Sequence, residues 1–71
     1  SNFTNFINEL RIREAQNLMR LPEYQHYSIE GFAKEVGFKS KSVFNTSFKK
    51  YTGLTPSYYI KFLQENPDNR Q

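Results

Sequence analysis

Apolar side chains recur at helical spacing along the first part of the chain, at Phe3, Phe6, Ile7, Leu10, Ile12, Ala15, Leu18, Met19 and Leu21. Steps dominated by three and four residues are the period of an α-helix, and they predict a first helix over residues 3–21. The stripe is wider than one seam. Ile7, Leu10, Leu18 and Leu21 follow one line, while Ile12, Ala15 and Met19 follow another. A helix apolar on more than one side is expected to pack against more than one neighbour. Pro22 closes it, because a proline pushes the residue before it out of the helical region. Residues 23–27 read as a polar and aromatic connector.

Ser28 is an N-cap for a second helix over residues 29–36, and Gly37 follows it as the residue able to turn left-handed. Ser40 caps a third helix over residues 41–52, ended in the same way by Gly53. Thr55 and Pro56 open a fourth, with Thr as N-cap and Pro in the first turn. It continues through Tyr58, Tyr59, Ile60, Phe62 and Leu63 until Asn66 and Pro67 stop it. Residues 65–71 are expected to be a frayed tail. No alternating strand pattern, repeat or low-complexity run interrupts this order. The pattern predicts an all-α fold of four helices.

With 71 residues the chain is one domain or a piece of one. A domain this small buries only about 60% of its unfolded surface, so its core is marginal. Seven Phe and five Tyr nevertheless supply enough bulk to fold. Cysteine is absent, which excludes disulfides, thiolate metal sites and a Cys nucleophile. The single histidine, His26, cannot build a metal site alone, and no cofactor is implied. It lies between Tyr24 and Tyr27, where a surface or packing role is expected. Glu9 and Glu14 are interleaved with Arg11 and Arg13 as a solvated charged face, not an acid–base pair. No glycine-rich phosphate loop is present, so the chain does not read as an enzyme. No apolar run approaches the roughly 18 residues needed to span a bilayer, and no signal peptide is visible. The expectation is a soluble, cytoplasmic domain.

Charge changes the picture more than composition does. Residues 1–35 carry four bases and five acids, whereas residues 36–64 carry Lys39, Lys41, Lys49, Lys50 and Lys61 with no acid at all. A stretch without a carboxylate is a local positive field, suited to phosphates, an anionic membrane or an acidic protein surface. A plain solvated lysine face would look the same by charge alone.

The residues between Ile29 and Tyr51 sharpen this. Ile29, Phe32, Ala33, Gly37, Phe38, Val43, Phe44 and Phe48 have the spacing of two short helices meeting at a tight turn. Ala33 must be small where the second helix crosses, Gly37 permits the reversal, and Phe38 anchors the turn in the core. On the third helix, at about 100° per residue, Phe44, Phe48 and Tyr51 share a core face. Ser42, Thr46 and Lys49 lie opposite, flanked by Asn45 and Lys50. Val43 sits at the border and is expected to pack on the preceding helix. Lys41, nearer the core side by angle, can fan outward from the first turn. The outward face is short, polar and cationic. Small hydrogen-bonding groups for base edges beside lysines for phosphates are what a helix in the DNA major groove requires. A merely solvated helix would more often mix in Glu for i,i+4 pairs.

The run Val36-Gly37-Phe38-Lys39-Ser40-Lys41-Ser42-Val43-Phe44-Asn45, followed by Phe48-Lys49-Lys50-Tyr51-Thr52-Gly53-Leu54-Thr55-Pro56-Ser57-Tyr58-Tyr59, resembles the C-terminal signature of AraC/XylS-type bacterial transcription regulators. Upstream, Phe6-Ile7-Asn8-Glu9-Leu10-Arg11-Ile12 with Ala15, Leu18 and Met19 is similar to the family's linker helix. The likeness covers about residues 3–62. It implies a long linker helix (residues 3–21) followed by a three-helix, homeodomain-like helix-turn-helix unit (residues 28–64). Family members carry two such units, so residues 1–71 would form a partial DNA-binding domain with the first unit missing. Phe3, Phe6 and Ile7 are then expected to have faced that absent half.

By the same resemblance, Lys41, Ser42, Asn45 and Thr46 occupy base-reading positions on double-stranded DNA. Ser28 and Ser40 would cap their helices and touch phosphate, and Lys49 and Lys50 would meet phosphates. Many relatives have Arg where this chain has Thr46. Without it a bidentate guanine contact is lost, and specificity shifts to Asn45, suited to adenine, and Lys41, suited to guanine. The alternative of a different class is a helical protein-interaction or dimerisation module, with self-association through Phe3, Phe6 and Ile7.

Overall fold

The computed structural model describes residues 2–67, and within them the chain forms four α-helices and no strand. Helix α1 spans Asn2–Met19, α2 Ile29–Glu35, α3 Lys41–Thr52 and α4 Pro56–Glu65, with a 3-10 turn at Pro22–Tyr24. Of the tail expected to fray over residues 65–71, Glu65 ends α4 and residues 68–71 lie outside the described residues.

The caps work as their chemistry demands. Ser28, Ser40 and Thr55 hold extended backbone, and their hydroxyls accept from the N–H groups of Gly31, Val43 and Tyr58. Each satisfies a donor that the first helical turn leaves orphaned. Gly37, at φ +100°, ends α2. Its N–H donates to the Lys34 carbonyl, and the Phe38 N–H donates to the Ala33 carbonyl at 2.9 Å. This is the paired closure of a Schellman motif. Gly53, at φ +82°, ends α3 with a single bond from its N–H to the Lys49 carbonyl.

The first helix is shorter than its apolar pattern suggested. The N–H groups of Arg20 and Leu21 reach back only three residues, to Asn17 and Leu18. Leu21 is extended ahead of Pro22 and 40% exposed, so it leaves the stripe. Gln25, from the connector, donates its side-chain amide to the carbonyls of Met19 and Leu21 and closes this end.

The core gathers Ile12, Ala15, Leu18 and Met19 of α1, Phe32 and Ala33 of α2, Phe38, Phe44 and Phe48, and Tyr59 and Leu63 of α4. A chain of aromatic contacts runs through it, Phe38 to Phe44 to Phe48 to Tyr59, with centroids 5.3, 5.7 and 5.5 Å apart. Such tilted pairs stabilise by about 0.5–1.5 kcal/mol each beyond area burial. Ala33 is buried in this core. Two polar ties complete the packing. The Tyr51 hydroxyl donates to the Asn5 carbonyl at 2.9 Å, and Arg20 donates to the Tyr59 hydroxyl at 3.0 Å.

Candidate nucleic-acid interface

Helix α3 is held from beneath by Phe44, Ser47 and Phe48, all buried, with Tyr51 half-buried beside them. Ser47 is a residue the period could have assigned: it follows Phe44 by three and precedes Tyr51 by four, on the core side. With that face fixed, Lys41, Ser42, Thr46, Lys49 and Lys50 are exposed and Asn45 is half-buried at one edge. The residues expected to read bases therefore lie on one outward surface of one helix. Lys50 leans along the helix, its ammonium 5.4 Å from the centre of the Tyr51 ring. Ser28 and Ser40 are both exposed, each with its oxygen already engaged in capping.

Val43 holds the border position that its angle gives it: it is 49% exposed, about 60° around the helix from Thr46. The buried arc of α3 reaches Ser47 and stops short of Val43.

The turn between α2 and α3 is set from α1. Arg11 lies with its guanidinium carbon 5.8 Å from the centre of the Phe38 ring. Its Nε would be only 3.2 Å from a Cβ placed on Gly37. The glycine thus serves both the positive φ and the approach of Arg11. No local pattern announces this contact, because it joins residues of different helices. Two of the glutamates are engaged elsewhere: Glu9 pairs with Arg13 on α1 at 2.6 Å, and Glu35 accepts from the Tyr27 hydroxyl at 3.4 Å. The Glu35 charge, chiefly, holds the Tyr27 phenol above its ordinary value.

Little else in the described residues offers chemistry. His26 is exposed, its ring 6.3 Å from that of Tyr27. No group of three or more His, Cys, Asp or Glu is placed to hold a metal, and no helix is long and apolar enough to cross a membrane. A crevice between Met19, Tyr24, Gln25, Tyr27, Phe32 and Ile60 holds about 20 Å³, room for little more than a water molecule. Tyr58, as its neighbour's burial required, points outward at 56% exposure while Tyr59 is buried.

The family described as "Helix-turn-helix domain" matches residues 1–61. The chain is 33% identical over 57 residues to the raffinose operon transcriptional regulatory protein RafR of Pediococcus pentosaceus, covering 80% of this chain and 20% of that protein. It is 34% identical over 58 residues to the uncharacterized transcriptional regulatory protein YesN of Bacillus subtilis (strain 168), covering 80% of this chain and 15% of that protein. The chain thus spans a fifth or less of the length of these curated relatives. No solved structure matches it.

Proposed function

The chain belongs to the AraC-type helix-turn-helix family, a family of DNA-binding domains of transcription regulators, and from that premise we propose that α3 enters the major groove as its recognition helix. The observation that carries this is the outward surface of α3, polar and cationic without a carboxylate, fixed from below by Phe44 and Phe48. Lys41, Ser42, Asn45 and Thr46 read base edges, where Asn pairs with adenine and Lys with guanine. Lys49 and Lys50 meet phosphates, and the capped N-termini at Ser28 and Ser40 present backbone N–H groups to the same strands. In this reading α1 is the linker helix and residues 28–64 the helix-turn-helix unit of a longer cytoplasmic regulator.

Fluorescence anisotropy of a labelled mixed-sequence duplex, titrated with the chain at several salt concentrations, tests it. Contacts from four or five lysines give a log–log salt slope of roughly −3.5 to −4.5. Binding indifferent to salt, or none at low salt, would sink the reading.

A second surface supports self-association. Phe3 and Phe6 are 73% and 58% exposed on α1, with Leu10 at 44% on the same helix. Ile7, grouped with them by sequence, is half-buried and contributes less. An apolar strip of this kind seeks a cover, and a second copy of the chain supplies one.

A further inference from the structure

We propose that Val43 reads the 5-methyl group of a thymine, a proposal that rests on α3 being the recognition helix. Val43 is the large apolar side chain of α3 that stands exposed, at 49%, and it lies at the edge of the outward face, on the side of Thr46 and Lys50. The polar side chains around it suit the donors and acceptors that base edges display. The apolar feature a base edge displays in the major groove is the thymine methyl, and Val43 is the group on this surface that complements it.

Its position favours the contact. Val43 lies in the first turn of α3, and the N-terminal residues of a recognition helix are those that reach base edges. Its backbone N–H is fixed by the Ser40 hydroxyl at 3.1 Å. A β-branched side chain in a helix has one strongly preferred rotamer, so both methyls are presented in a set direction before DNA arrives. Thr46 follows it by about 60° around the helix, placing a hydrogen-bonding group beside the apolar one. This pairing distinguishes a thymine from a cytosine, which lacks the methyl and offers a donor instead.

The preferred duplex is first selected from a randomised library with the 71-residue chain. Each thymine of that duplex is then replaced, one at a time, by deoxyuridine, which lacks only the methyl. One replacement should weaken binding about fourfold, the worth of burying a single methyl. With Val43→Ser the thymine and deoxyuridine duplexes should bind alike at that position, while the salt slope stays unchanged. The substitution lies on the surface, and equal thermal midpoints confirm that the variant folds. If no thymine shows a methyl effect, or the effect persists in Val43→Ser, the proposal is wrong while the recognition helix stands. If no duplex binds saturably, the recognition-helix reading falls and takes the proposal with it.

Discussion

Gly37 and Gly53 share a left-handed backbone but not a neighbourhood. A Cβ on Gly53 would meet no atom within 4 Å, whereas one on Gly37 would crowd the Arg11 guanidinium. Gly53→Ala therefore carries only the backbone cost of the left-handed region, about 1–2 kcal/mol. Gly37→Ala carries that cost and displaces Arg11 from Phe38, so its thermal midpoint should fall further. Equal midpoints would show that Arg11 gives way freely. On the DNA side, Asn45→Ala should change the selected sequence at one position. Lys49→Ala should weaken all duplexes about equally and make the salt slope shallower by about 1. A library selection and a salt titration separate these outcomes. If Asn45→Ala left sequence preference intact, its assignment to a base edge would fail.

At the scale of elements, the punctuation was what sequence conveyed best. Ser28, Gly37, Ser40, Gly53 and the Thr55–Pro56 pair bound their helices almost to the residue, because caps are local chemistry between groups three to five residues apart. The outward set on α3 was legible for a related reason: the Phe44–Phe48 spacing lies within one helix, and that helix carries no acid. What stayed hidden depends on how helices cross. The period placed Val43 at a border, and how much of such a border residue is covered, here about half, is decided by the neighbouring helices and not by the period. The pattern likewise carried α1 to Leu21, where three-residue hydrogen bonds and Pro22 release it two residues early. The cap at Ser40 is the most consequential element boundary, since it fixes the turn that holds Lys41, Ser42 and Val43. Ser40→Ala should cost about 1 kcal/mol, lowering the melting temperature by roughly 4–8 °C for a domain of this size. Calorimetry checks it, and an unchanged midpoint would mean that water replaces the hydroxyl without loss.

For the whole molecule, one side of α1 closes the core while Phe3, Phe6 and Leu10 remain in solvent. Replacing Phe3 and Phe6 by Ser should leave the fold intact, since neither belongs to the buried cluster. It should abolish any concentration-dependent rise in mass seen by analytical ultracentrifugation. A wild-type chain that stays monomeric at millimolar concentration would refute self-association through this strip.

The bond from the Tyr51 hydroxyl to the Asn5 carbonyl joins residues 46 apart in sequence, and its meaning changes when time is considered. The turn between α2 and α3 closes over a handful of residues, so it can form early. A clasp between the two ends of so long a loop belongs to the late stage of folding, because closing the loop precedes any reward from the contact. Tyr51→Phe removes a hydrogen bond worth about 1 kcal/mol. As a late contact, its loss should fall on the unfolding rate, raised about fivefold, with the folding rate nearly unchanged. Stopped-flow mixing resolves the two rates. Slower folding with unchanged unfolding would instead place α1 against α3 before the helix-turn-helix is complete. As a late clasp, Tyr51 sets how long the finished domain lasts more than how fast it is made.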